Sequence, residues 1–219
     1  MYFASRLHAG RLLAQQIVPR YKDEPTAVLA LSDGGVVVGM QISQQLSCSL
    51  GMLLVDEIEL PHEAIAIAGM TQDGSFAYNH EFSTGEIEEM VSEYRGFLEE
   101  KKIEKMQAMH RLLSNDGLVR KELLQDRNIV VVSDGMSSGF SIDLALQFLK
   151  PVSYKKLIVA TPMASIKAVD RMHILADDIY CLNVLEDYIS TDHYYDTPDV
   201  PDHTALTKAV ATLIKQWNP

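Results

Sequence analysis

The sequence predicts an α/β protein: a parallel sheet flanked by helices, with an inserted hairpin and long-helix region. Three observations predict it. Short apolar runs alternate with stretches of helical periodicity, the pattern of parallel βαβ units. The runs, such as Ile129-Val130-Val131-Val132, are apolar throughout, as strands are when helices cover both faces of a sheet. Asp73-Gly74 lies between two further strand-like pieces, a strong hairpin signal. The 219 residues show no linker-like composition shift and no repeat, so one domain spanning 1–219 is expected.

In chain order, Ser5 to Val18 reads as an amphipathic helix through Leu7, Leu12, Leu13 and Ile17, with Pro19 expected to end it. Thr26 to Leu31 reads as a buried strand, Ser32 to Gly35 as a turn, and Val36 to Leu46 as a second helix. Ser49 to Val55 is a strand, and Ala64 to Met70 with Ser75 to Tyr78 form the hairpin. Ser83-Thr84-Gly85-Glu86 has the form of a capping box before a long polar helix to about Leu113. A bend is expected at Gly96 and a stop at Ser114 to Gly117. Strand Asn128 to Val132, helix Ser141 to Leu149, strand Lys156 to Thr161, helix Ser165 to Leu175 and strand Asp178 to Leu182 follow, and Asp202 to Trp217 closes the chain as a helix.

Charge and composition narrow the function. With 19 basic and 30 acidic residues, a net charge of −11, the surface disfavours nucleic acid and anionic membranes. No apolar run approaches the roughly 20 residues of a spanning helix. Met1 to Gly10 lacks the apolar core of a signal peptide. Cys48 and Cys181 are scattered, as expected of reduced thiols in a cytoplasmic protein. The seven histidines include no i, i+4 pair, so no metal site is predicted.

Sheets of this kind bind ligands beyond the carboxyl ends of their strands. Two turns occupy such positions: Ser32-Asp33-Gly34-Gly35 and Ser133-Asp134-Gly135-Met136-Ser137-Ser138-Gly139-Phe140-Ser141. In the second, Gly135 and Gly139 let the backbone curl so that amides point inward. Ser137, Ser138 and Ser141 add hydroxyl donors, and the following helix presents its positive end. The set suits a phosphate monoester, with Asp134 accepting hydrogen bonds from a neighbouring sugar diol. An ordinary Gly/Ser turn before a helix is the alternative.

The second turn resembles the ribose-phosphate loop of the type I phosphoribosyltransferases, whose pattern is an apolar strand, two acids, small residues and Thr-Gly-x-Thr. Asp134 matches the second acid, and Ser138-Gly139-Phe140-Ser141 matches Thr-Gly-x-Thr. Arg6 to Ala14 is similar to the N-terminal helix of one bacterial subgroup, and Leu29 to Val38 to its pyrophosphate loop and following helix. Ile158 to Ser165 resembles the strand and turn after the ribose-phosphate loop, and Tyr194-Tyr195-Asp196 the C-terminal aromatic stretch. The resemblance implies a phosphoribosyltransferase-like fold and a phosphorylated small-molecule ligand. It implies Asp134 as the candidate catalytic residue, a homodimer, and magnesium wherever phosphoribosyl pyrophosphate is bound.

The sequence departs from the family where the chemistry lies. Ser32-Asp33 stands where the family carries Pro-Arg or a similar basic pair, Asp56-Glu57 where it often carries Arg-Lys, and Ser133 where it carries the first acid. A unit charge about 4 Å from another is worth about 4 kcal/mol at an effective dielectric of 20, so each reversal swings the interaction by about twice that before screening. The expectation is therefore a protein that binds a ribose-phosphate or nucleotide-type ligand with weak or no transferase activity. The alternative is an active magnesium-dependent transferase placing the ribose phosphate on a nitrogen base, with Tyr188 to Tyr195 facing the base. A third reading is a serine hydrolase, because Gly135-Met136-Ser137-Ser138-Gly139 matches the G-x-S-x-G elbow, with Asp187 or Asp192 and His193 or His203 following. Lys101, Lys102 and Lys105 are expected on a solvated helix face, with phosphate contact as the other reading, and Met90, Tyr94, Phe97, Met106 and Met109 are expected to pack on the domain or on a twin subunit.

Overall fold

The computed structural model describes residues 2–61, 65–113 and 119–216. Five strands, β1 (Thr26–Ala30), β2 (Ser49–Met52), β6 (Asn128–Val132), β7 (Lys156–Ser165) and β8 (Asp178–Leu185), form a parallel sheet in the order β2-β1-β6-β7-β8. A second sheet is antiparallel, β3 (Val55–Glu59), β4 (Ala66–Thr71) and β5 (Phe76–Tyr78).

Alternating side chains divide the core. Val28, Ala30, Val130, Val132, Ile158 and Ala160 face one side of the parallel sheet. There they meet Leu13 and Ile17 of α1 (Arg6–Tyr21), Val38 and Ile42 of α2 (Asp33–Leu46), and Val210 and Ile214 of the closing helix His203–Gln216. Ala27, Leu29, Ile129, Val131, Leu157 and Val159 face the other side. They pack on Ile142 and Phe148 of the helix Phe140–Leu149 and on Ala168 and Met172 of the helix Ile166–Leu175. This two-sided burial is why the strands read as unbroken apolar runs.

Several boundaries differ from expectation. Pro19 sits inside α1, which runs on to Tyr21: one missing amide near a helix end costs a single bond, and the Lys22 amide still reaches the Val18 carbonyl at 3.0 Å. The Ser32 to Gly35 turn is instead the cap and first turn of α2, because the Ser32 hydroxyl accepts from the Gly35 amide at 2.8 Å. The expected strand Ser49 to Val55 is two strands in two sheets. At the break the Leu54 amide donates to Gln72 Oε1 at 2.9 Å and the Gln72 amide to the Leu54 carbonyl at 3.2 Å, handing the chain to the second sheet.

The long polar helix is also two, α3 (Thr84–Glu93) and α4 (Arg95–Leu112). The expected capping box of Ser83 and Glu86 is formed. The break comes at Tyr94, whose φ of −104° and ψ of 21° leave the helical region, just before Gly96. Met90, Tyr94 and Phe97 pack against Ile58, Ile67 and Leu98, while Met109 joins the core on the α1 and α2 side of the sheet and Met106 packs against it, so this helical pair covers its own domain. The remaining helices are α5 (Phe140–Leu149), α6 (Ile166–Leu175) and α7 (His203–Gln216). The predicted stop at Ser114 to Gly117, and Ala64 and Trp217, lie outside the described residues. Among the described residues no helix is long and apolar enough to cross a membrane.

The hairpin turn is held by Asp73, with Gly74 in the left-handed region at φ 84°. Burial alone would raise the Asp73 carboxyl, but Lys121 at 2.7 Å and hydrogen bonds from Thr71 and Ser75 lower it to about 2. A lowered carboxyl adds stability above its unfolded value near 4 that is lost as pH falls towards about 2. Asp73→Asn should therefore lower Tm at pH 6, and the gap to wild type should shrink on acidification below pH 4. A gap that stays constant from pH 6 to pH 3 in thermal melts would contradict this origin.

Candidate ligand-binding site

Register places the two expected turns side by side. β1 pairs with β6 from Thr26 opposite Asn128 to Ala30 opposite Val132, so both strands end at one level. The Leu31 amide extends the ladder by one bond to the Val132 carbonyl, 2.9 Å. The chain continues from β1 towards β2 on one side and from β6 towards β7 on the other, so this pair is the switch point where such sheets open a crevice.

At the pair sits a buried ion pair. Arg6 Nε donates to Asp134 Oδ2 at 2.7 Å, and the Ser32 hydroxyl donates to Asp134 Oδ1 at 2.7 Å. The guanidinium is 4% exposed, also contacts Asp192, and stacks 4.3 Å over the Tyr195 ring. Burial opposes its charge, yet hydrogen bonds to Asp134 and Asp192 hold the Arg6 pKa above the usual arginine value. Tyr195 donates to the Asp134 carbonyl at 2.6 Å, and burial pushes its phenol well up. Asp199 accepts from the Arg6 and Leu7 amides, both at 3.0 Å, at the open start of α1.

Above this pair lies a cavity of about 300 Å³. Ser133, Asp134, Gly135, Met136, Ser137, Ser138, Gly139 and Ser141 of the expected loop all contribute to its wall, as does Ser32. Asp33, Gly34, Gly35 and Phe140 do not. Phe140 is fully buried in the core. Gly34 lies directly behind the ion pair, where a Cβ would come within 1.9 Å of Asp134 Oδ2. Asp33 turns to His203, 2.8 Å from Oδ1 to Nδ1.

The loop has the geometry of an anion cradle. Gly139 takes φ 80° and caps α5 with no side-chain bond. Among the described residues, the amides of Ser137, Ser138, Gly139 and Ser141 make no protein hydrogen bond. The hydroxyls of Ser137 and Ser141 are likewise unpaired there, and Ser138 Oγ accepts from the Phe140 amide at 3.2 Å. Ser165 ties the loop down through the Met136 and Ser137 carbonyls. Gly135 is needed for a different reason than its partner: a Cβ there would meet the Tyr188 hydroxyl at 2.4 Å. That hydroxyl pairs with Thr191 Oγ1 at 2.6 Å, and burial pushes the Tyr188 phenol up to about 12.

Four wall or support residues were not assigned to the loop's site from sequence, although Glu57 stood out as half of the Asp56-Glu57 reversal and Thr191 lies in the Tyr188 to Tyr195 stretch. Arg6 was visible only as part of an N-terminal motif, and nothing local marks it as Asp134's partner. Thr191, Val55 and Glu57 complete the wall through folding alone. The lysines of α4 are not at the cradle: Lys101 pairs with Glu104, Lys102 with Glu99, and Lys105 with Asp56. The hydrolase arrangement is not assembled. His193 bonds the Tyr2 hydroxyl, His203 bonds Asp33 and Asp192 bonds Arg6, and none is hydrogen-bonded to Ser137.

The geometry thus defines an α/β protein with a loop of unpaired amides and hydroxyls at the switch point of a parallel sheet. No family model matches the chain. It is 26% identical over 182 residues to two curated proteins from Mycobacterium tuberculosis strains CDC 1551 and H37Rv, each named "Putative phosphoribosyl transferase". The aligned part is 82% of this chain but only 40% of each relative, so the chain spans well under half the length of those proteins. The crystal structure of TT1426 from Thermus thermophilus superposes with a TM-score of 0.71 over 97% of this chain and 99% of that one, at 22% identity, and shows the same fold. The resemblance to type I phosphoribosyltransferases fits these relatives.

The ion pair makes stability depend on the residues around it. Gly34→Ala forces a methyl into Asp134 and Arg6 and should cost about 1–3 kcal/mol in denaturant unfolding. Gly85→Ala, where nothing lies within 4 Å, should be neutral or slightly stabilising. Arg6→Gln leaves the Asp134 charge without its cation and should cost about 3–5 kcal/mol. Combining it with Asp134→Asn should cost less than the two single losses together, and strict additivity would show that the pair is not coupled.

Proposed function

We propose that this chain binds a ribose-phosphate or mononucleotide-type ligand through the 137–141 loop, with weak or no transferase activity. The observation that supports this reading most is the set of unpaired amides and hydroxyls at the start of α5, converging on one cavity. A phosphate monoester there accepts hydrogen bonds from the Ser137, Ser138 and Gly139 amides and from the Ser137 and Ser141 hydroxyls, with the positive end of α5 behind them. The donors are fixed by the fold before the ligand arrives.

Asp134 lies beside the cradle, as a ribose-binding carboxylate should. Each of its oxygens already accepts one hydrogen bond, from Ser32 or from Arg6, and a carboxylate oxygen retains a second acceptor site. One ribose hydroxyl donating to Asp134 is consistent with that. Thr191 supplies a further hydroxyl on the same wall.

A pyrophosphate donor is less well served. Among the described residues no lysine or arginine contributes to the cavity wall, although a leaving pyrophosphate needs positive charge fixed where its own charge develops. A magnesium ion arriving with such a donor would find a poor donor set: Asp134 is shared with Arg6 and Ser32, and no group of three metal-ligating side chains exists among the described residues. Phosphoribosyl transfer, the activity that the relatives' name suggests, therefore lacks its electrostatic half.

Calorimetry tests the reading. Ribose 5-phosphate or a nucleoside monophosphate should bind, and Ser138→Asp, which places an anion in the cradle, should weaken binding at least tenfold. Incubation with phosphoribosyl pyrophosphate, magnesium and a mixture of nucleobases should release pyrophosphate at background rate. Robust release would favour the transferase, and monophosphate binding indifferent to Ser138→Asp would remove the cradle.

A further inference from the structure

The acids that replace the family's basic residues are not equivalent once folded. Asp33 is turned to His203 at 2.8 Å and Asp56 to Lys105 at 2.6 Å, and neither contributes to the cavity wall. Glu57 does. It stands on β3 with the ribose-phosphate loop in the same cavity wall, and among the described residues its carboxylate makes no hydrogen bond or ion pair. Withdrawal from water, then the neighbouring Glu59 and Asp56, push its pKa above the usual glutamate range, and the charge of Lys105 offsets this only in part.

Two further cavities open from the same residue. One, about 360 Å³, shares Ser137 and Ser138 with the cradle and is flanked by Glu57, Glu59 and Glu81. The other, about 380 Å³, lies towards α4 between Glu57, Glu59 and Glu104. The cations nearby are engaged: Lys167 with Glu81 at 3.3 Å, Lys101 with Glu104 at 2.5 Å, Lys105 with Asp56. A group that extends from the loop towards β3 meets the unpaired Glu57 first, with the lysines in the walls of these cavities already held in ion pairs.

We infer that Glu57 sets the charge specificity of this site, accepting the hydrogen-bond donors of a polyol or amino-bearing monophosphate and turning away a ligand with a second phosphoryl group. The inference rests on the monophosphate reading above and names the ligand class that reading leaves open. An anion facing a diphosphate without an intervening cation repels it, whereas the same anion is a strong acceptor for hydroxyl or amino groups. β3 is an edge strand, and Glu57 is exposed on it, so substitutions there leave the core intact.

The test compares ribose 5-phosphate with phosphoribosyl pyrophosphate by calorimetry, with and without magnesium, for wild type, Glu57→Gln and Glu57→Lys. Wild type should prefer the monophosphate. Glu57→Gln should move the affinity ratio towards the pyrophosphate compound, and Glu57→Lys should move it at least tenfold, with Tm confirming that both variants fold. An unchanged ratio in both variants overturns the inference and leaves the monophosphate reading standing. Weaker pyrophosphate binding by Glu57→Gln in magnesium also overturns it, since the glutamate would then be holding the metal. Failure of wild type to bind either compound removes the reading and the inference together.

Discussion

The buried pair of Arg6 with Asp134 joins three segments far apart in the chain: the start of α1, the loop after β6 and the aromatic stretch around Tyr195. Each contributes something the others need. Arg6 neutralises a carboxylate that the parallel register places between two strand ends. Tyr195 stacks on the guanidinium and donates to the Asp134 carbonyl, fixing the backbone at the root of the loop. Ser32 fills the remaining direction and at the same time caps α2. Gly34 is small because this pair lies against it. Removing a charge from water is expensive unless a partner and hydrogen bonds replace the lost hydration, and here all of them are supplied. The cradle is therefore anchored to a rigid floor.

That floor changes how the charge reversals act. Read along the chain, Asp33 and Asp56 are anions set where a pyrophosphate would lie. Folded, each is satisfied by a cationic or titratable side chain from a distant helix, His203 on α7 and Lys105 on α4. Neither is left to act on a ligand. Among the described residues, the electrostatic character of the cavity falls to Glu57, the wall acid with no partner, and to the lack of a basic side chain in the wall. Two neighbouring acids, Asp56 and Glu57, differ in consequence because Lys105 of α4 forms its ion pair with Asp56, while only Glu57 enters the wall of the cavity at the loop.

Much of this was legible in the sequence, and the pattern of success has a physical basis. The inner parallel strands, β1 and β6 above all, were marked by continuous apolarity, which follows from burial on both faces, while the edge strand β8 is only half-buried. The cradle loop was marked by small residues at a strand-to-helix junction, whose backbone function depends on local conformation. Boundaries failed where a long-range contact overrode the local signal, as with Gln72 splitting the strand after Met52 and packing at Tyr94 dividing the long helix, or where a local break proved cheap, as with Pro19 in the last turn of α1. The role of Arg6 was not legible at all, since its partner lies 128 positions away. Thr191 and Glu57 reach the wall only through tertiary packing.

The same contrast bears on what the site retains. In the proposed reading, phosphate recognition rests on backbone amides, short hydroxyls and a helix end, and serine in place of threonine preserves every donor. Pyrophosphate recognition needs side-chain cations or a metal, so it is sensitive to a change of sign at those positions. A backbone-based site tolerates sequence drift because its donors carry no side-chain identity, whereas a charge-based site does not. A fold can therefore keep the first capacity while losing the second. In this chain the division falls between the two strand ends: the loop after β6 keeps its donors, while Asp33 after β1 has been drawn off to pair with α7.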